Sequence, residues 1–221
     1  MSFSKKLIPL AVSAAITVPA LFAVSTAQAD VSATIGAANM YLWRGQNLTP
    51  NEPQVSGSLD YSNASGFYAG AWMSNEGAAG SYETDLYLGY GGSIGDFGYD
   101  VSYWKYLYPS KTGSVGNTDA SDFVLGLSYG PVAFTAYLGA ESNTTKDDYY
   151  TLSGDIGKFS LLYGVYKGDG TNTGNDYSHF QVGFNFNDNI TFTASKASDD
   201  GAGVDTDPLF VVSYSKTFSM K

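Results

Sequence analysis

Residues 180–196, FQVGFNFNDNITFTASK, alternate strictly: Phe180, Val182, Phe184 and Phe186 share one side, Gln181, Gly183 and Asn185 the other. Asn187-Asp188-Asn189 then turns the chain, and Ile190, Phe192 and Ala194 resume against Thr191, Thr193 and Ser195. Period-two alternation closed by an Asx-rich turn predicts a β-hairpin. The same rhythm recurs near 32–44, 54–62, 66–74, 82–91, 97–107, 121–129, 132–140, 149–155, 159–167, 177–187, 189–197 and 208–218. That makes twelve predicted strands, most of them close to the roughly 9–11 residues that a tilted strand needs to cross a bilayer.

The connections alternate in length. Asn63-Ala64-Ser65, residues 92–96, Gly130-Pro131, residues 156–158 and residues 187–189 are short, while 45–53, 75–81, 108–120, 141–148, 168–176 and 198–207 are long. An even-numbered up-and-down barrel with both termini on one side produces this pattern, with tight turns on one rim and long loops on the other. The expected fold is therefore all-β, a twelve-stranded antiparallel up-and-down transmembrane β-barrel.

A soluble sandwich would alternate in the same way, with its apolar face inward. Three features favour the inverted arrangement, with the apolar face toward lipid. The polar face carries Gly and Ser rather than the Lys and Glu of a water-facing surface. Charges concentrate in the long loops. The run Tyr103-Trp104-Lys105-Tyr106-Leu107-Tyr108 has the composition of an interfacial aromatic girdle.

Composition adds constraints. Lys5-Lys6, an apolar stretch over 7–24 and Ala27-Gln28-Ala29 predict a cleavable signal peptide over 1–29, with the barrel over 30–221. Loss of Lys5 and Lys6 leaves 9 basic against 21 acidic residues, a net charge of −12. Such a chain offers no basic patch for nucleic acid. There is no cysteine, so disulfides, thiolate metal sites and thiol nucleophiles are excluded. The expected location is a Gram-negative outer membrane, with outer-membrane lipid and lipopolysaccharide as neighbours.

Trp43-Arg44-Gly45-Gln46, Leu59-Asp60-Tyr61, Gly66-Phe67-Tyr68-Ala69-Gly70 with Ser74-Asn75, Glu83-Thr84-Asp85-Leu86-Tyr87, and Gly95-Asp96-Phe97 with Tyr99-Asp100-Val101 form a run across roughly residues 39–109. This run resembles the TorF family of proteobacterial outer-membrane proteins. The resemblance implies an outer-membrane location and a pore, without a known substrate. The C-terminus departs from the aromatic ending common in such barrels, since Phe218 stands three residues before the end.

The candidate chemistry is that of a lumen. Arg44, Asp60, Glu83, Asp85, Tyr87, Asp100 and Trp104 are the pore-lining candidates. Alternation places Asp60, Glu83, Asp85 and Asp100 opposite Leu59, Leu86, Tyr99 and Val101, hence inward. Strand 1 has ambiguous parity, which leaves the direction of Arg44 open: it either charges a pore or ties the wall together by pairing with carboxylates. Inward Gly and Ser positions are expected to help keep the pore open, with Trp43, Trp104 and Tyr87 as constrictions if they point inward. The sole histidine, His179, lies beside Ser178. Adjacent strand residues face opposite sides, so these two cannot serve one substrate, and no enzyme is expected. Loop 167–176 fails the EF-hand template, and acidic loop 198–208 reads as solvated, with divalent cations that bridge lipopolysaccharide phosphates as its alternative; neither a cofactor nor a resident metal is expected. The functional expectation is passive diffusion of small hydrophilic solutes with cation preference. The alternative is a sealed barrel with an adhesive or structural role.

Overall fold

The computed structural model describes residues 29–50, 52–76, 81–108, 120–142, 147–168, 176–199 and 204–220. The expected signal peptide, apart from residue 29, and the stretches 169–175 and 200–203 of the two acidic loops lie outside these residues. Among the described residues the secondary structure is entirely β: β1 (Asp30–Ala38), β2 (Leu42–Trp43), β3 (Gln46–Asn47), β4 (Gln54–Ser62), β5 (Phe67–Glu76), β6 (Ser81–Ile94), β7 (Phe97–Leu107), β8 (Ala120–Tyr129), β9 (Val132–Ser142), β10 (Asp148–Ile156), β11 (Phe159–Lys167), β12 (Tyr177–Asn185), β13 (Ile190–Asp199) and β14 (Leu209–Met220). Twelve of them form one closed antiparallel barrel, in which each strand pairs with its neighbours in sequence and β14 returns to β1. β2 and β3 pair only with each other.

The alternation of the sequence becomes the two faces of the wall. Phe180, Phe210, Leu125, Leu88 and Val55 lie on the outside, and Phe180 keeps 48% of its surface exposed. An apolar outer face around a closed ladder, with no unpaired edge, is what a bilayer requires of a spanning sheet. The phenylalanines therefore face lipid.

Turn chemistry fixes the register at the short-turn rim. β6–β7, β8–β9 and β10–β11 are joined by two-residue loops that begin with Gly95, Gly130 and Gly157, each with positive φ (64°, 56° and 63°). Positive φ at the first central residue alone is the type II′ pattern, whose twist matches that of paired strands. At β12–β13 the Asn187 side chain accepts hydrogen bonds from the backbone N–H groups of Asn189 and Ile190, so the turn opens at Phe186 rather than within an extended β12.

Strand 1 differs from its expectation. It leaves the wall after Ala38 instead of running to residue 44. Asn39 ends it: its side chain accepts from Val212 N–H and donates to the Phe210 carbonyl on β14. The following residues turn into the barrel. Leu48 N–H bonds the Tyr41 carbonyl, and Thr49 Oγ accepts from Tyr41 N–H, which closes a hairpin around β2–β3. Tyr41, Leu42, Arg44 and Thr49 are all buried. Leu42 packs with Ala38, Leu209 and Val211 on the lumen face. The first long loop is thus an inward plug.

Candidate functional site

The site is the lumen level at which this hairpin meets the wall. Its tip is Trp43-Arg44-Gly45-Gln46, with φ of 46° at Arg44 and 85° at Gly45. Two successive positive φ values are the type I′ signature, which normally draws Asn-Gly or Gly-Gly. The turn aims the Arg44 guanidinium at β8, where Nη2 lies 2.7 Å from Asp122 Oδ2. Tyr106 OH donates to the same oxygen at 3.0 Å. Four rings surround the cation: Trp43 at 4.5 Å, Tyr149 at 5.0 Å, Tyr137 at 5.4 Å and Tyr166 at 5.8 Å from the guanidinium carbon to each ring centroid. Tyr177 OH donates to the Arg44 carbonyl at 2.9 Å. The ion pair is buried on both sides, so low dielectric and the aromatic faces hold a charge that is never lost in proteins.

His179 supports this level. Nε2 lies 2.7 Å from Tyr149 OH, and Nδ1 lies 3.3 Å from the Gln181 amide nitrogen. The ring fills a socket between two glycines: a Cβ on Gly164 would lie 2.2 Å from Nε2, and one on Gly45 would lie 2.5 Å from the ring. Ser178 faces the other way and bonds Ser198.

The other lumen acids are held by phenols. Glu83 accepts from Tyr41 OH at 2.9 Å and from Tyr108 OH at 3.0 Å. Asp100 accepts from Tyr68 OH at 2.9 and 3.0 Å, and Asp60 accepts from Tyr87 OH. Tyr87 stacks on Trp104 with centroids 4.1 Å apart. Asp85 is the exception: it is fully buried and neither carboxyl oxygen has a hydrogen-bond partner among the described residues.

All seven predicted site residues thus have their side chains on the inner side of the wall, but they are not gathered into one charged patch. Arg44 pairs with Asp122 rather than with Asp60, Glu83, Asp85 or Asp100. Asp122, Tyr41, Tyr106, Tyr149 and Tyr177 were missing from the expected set. For Asp122 a signal existed, because outward Phe123 and Leu125 imply an inward Asp122. Two expectations need correction. The inward glycines do not simply hold the lumen open; Gly70 receives the Tyr87 ring and Gly89 the Tyr68 ring, where a Cβ would approach within 2.5 and 2.4 Å. The run 103–108 is not a girdle either: Trp104 and Tyr106 are buried in the lumen, and Tyr108 bonds Glu83 there.

The Gcw_chp family profile, described as a bacterial protein of unknown function, matches residues 23–214. The chain belongs to the Gcw_chp family. None of the curated proteins matches it in sequence. Among solved structures it is similar to KdgM porin (TM-score 0.52, 8% identity, 87% of this chain and 99% of that chain covered) and, with the same figures, to KdgM porin in complex with disordered oligogalacturonate. A third similar structure is outer membrane phospholipase A from Escherichia coli (TM-score 0.45, 9% identity, 84% and 88% covered), a likeness too remote to carry an argument. At 8% identity the likeness to KdgM is one of fold: this chain shares the closed barrel architecture of that porin. Among the described residues no cluster of three or more His, Cys, Asp or Glu could hold a metal ion.

Proposed function

We propose that this Gcw_chp protein is a porin-like channel of a Gram-negative outer membrane, passing small hydrophilic solutes with a preference for cations. One observation carries the reading. Among the described residues, the lumen-facing strand positions include Asp60, Glu83, Asp85 and Asp100 but no lysine or arginine, and the lumen cation Arg44 is already matched by Asp122. In a narrow lumen with low-dielectric walls, acidic groups of one sign favour entry of cations. The TorF resemblance of residues 39–109 points toward a pore as well. One of the similar porin structures holds oligogalacturonate, a polyanion; an acidic lumen selects against such a solute, so the proposed substrates are neutral or cationic. Catalysis has no part in the proposal.

The packed hairpin favours a second reading, a sealed barrel that acts through its loops. Planar-bilayer recording of the refolded protein under a salt gradient separates the two. Discrete conductance steps with a cation-signed reversal potential are expected, and Glu83→Gln with Asp85→Asn should move that potential toward zero. An anion-signed potential refutes the selectivity, and a correctly folded barrel that never conducts supports the sealed reading.

A further inference from the structure

The Arg44 pocket has the composition of a receptor for an organic cation. Its acid comes from β8 and its wall rings from the next three strands in order: Asp122, Tyr137, Tyr149 and Tyr166, while Tyr177 on β12 holds the Arg44 carbonyl. These residues belong to the barrel ladder, which β2 and β3 do not join. The receptor therefore persists if the hairpin withdraws. The occupant is placed at a conformational cost: Arg44 adopts the left-handed backbone that L side chains avoid, in a turn whose usual residues are Asn and Gly. An arginine there is explained by where its side chain reaches, not by the turn.

We propose that this cage is a binding site for solutes bearing a guanidinium or alkylammonium group, and that Arg44 occupies it as a built-in competitor. A carboxylate that accepts charge-assisted hydrogen bonds and rings that present their faces select a planar or small organic cation over a neutral or anionic solute. A solute that takes the cage releases the hairpin from the lumen. The role of the site as a station for permeating solutes rests on the channel reading; its occupancy does not.

The chain contains no cysteine, so a single Thr49→Cys reports on the hairpin without background. Thr49 is 1% exposed in the docked state. The full-length barrel, refolded in detergent micelles and checked for heat-modifiable mobility, is labelled with a polar maleimide. Millimolar methylguanidinium should accelerate labelling about tenfold, the change expected when one cation–aromatic or ion-pair contact is displaced, and the effect should saturate. Methylurea, of similar shape but uncharged, should do nothing. Adding Arg44→Ala or Asp122→Asn should make labelling fast and insensitive to either compound. Asn47→Cys is the alternative reporter if Thr49→Cys does not refold. The inference is overturned by a rate that ignores methylguanidinium, by an equal response to methylurea, or by a response that survives Asp122→Asn. Labelling that responds in a barrel that never conducts rejects the channel and keeps the cage; conduction with flat labelling rejects the cage alone.

Discussion

On β14, β1 and β4 the lumen-facing Ser32, Thr34, Ser56, Ser58, Ser215 and Thr217 retain access to water, whereas on β7, β10 and β12 Trp104, Tyr106, Tyr149, Tyr177 and His179 are packed beyond its reach. Both sectors obey the same inward–outward alternation within one closed barrel. What separates them is side-chain size and the placement of glycines opposite rings. Small hydroxyls satisfy themselves with water and leave the lumen wide. Large phenols need sockets to lie in and acids to donate to, and the wall from β5 to β12 supplies both. One barrel wall thus carries a wet vestibule and a dense plug seat.

The largest effects should come from breaking the seat. Asp122→Ala leaves Arg44 buried without its partner, a change that costs about 3–5 kcal/mol where both groups must stay buried. The hairpin can escape to water, so the cost should appear as undocking rather than unfolding. Exchange of the Leu48 amide, which is bonded to the Tyr41 carbonyl, should accelerate about a hundredfold or more while the barrel stays folded. Asp85→Asn provides the contrast. Asp85 is as deeply buried as Asp122, but it is not the acid that pairs with Arg44. Leu48 exchange should remain as slow as in the parent, and a large acceleration would reveal that Asp85 is a second anchor.

The sockets give the next comparison. Gly164→Ala drives a methyl to 2.2 Å from His179, whose ring is locked between Tyr149 and Gln181, and overpacking of this kind costs about 1–3 kcal/mol. Gly183→Ala, on β12 toward the turn end, meets Ser160 Oγ at the same 2.2 Å, but that hydroxyl can rotate away. Its denaturant midpoint should stay within about 0.5 kcal/mol of the parent. Equal losses at the two positions would show that the His179 socket is not the more tightly packed of the two.

Much of the wall was legible because period-two patterning and turn lengths are local properties. The outward phenylalanines, the alternation of short and long connections and the inward direction of Asp60, Glu83, Asp85 and Asp100 all follow from parity within single strands. The plug was hidden for the opposite reason. Residues 39–44 keep an apolar rhythm that suits a wall strand equally well. The strand is ended by a bond from Asn39 to Val212, 173 residues away. Arg-Gly gives no conventional sign of a type I′ turn. The composition of the 103–108 run suits a girdle, but counting from outward Val101 assigns Trp104, Tyr106 and Tyr108 to the lumen. The partners of Arg44 come from five separate strands, and no local pattern can assemble them.

The smallest effect concerns an ion pair with the chemistry of Arg44–Asp122 but none of its setting. Lys167 and Asp176 meet at the rim with about half of each side chain exposed. The hydrogen bond from Lys167 holds the Asp176 carboxyl below its ordinary range. A carboxyl whose folded value is depressed stabilises the fold above its unfolded pKa, and that contribution disappears as pH falls through the folded value. Solvent screens the pair, however, and exposed pairs contribute little. Lys167→Ala should leave the denaturant midpoint at neutral pH unchanged within error, and any small deficit should vanish on acidification. A clear loss that persists in acid would mean that Lys167 acts through another contact, and that the rim shares in the anchoring assigned here to the buried cage.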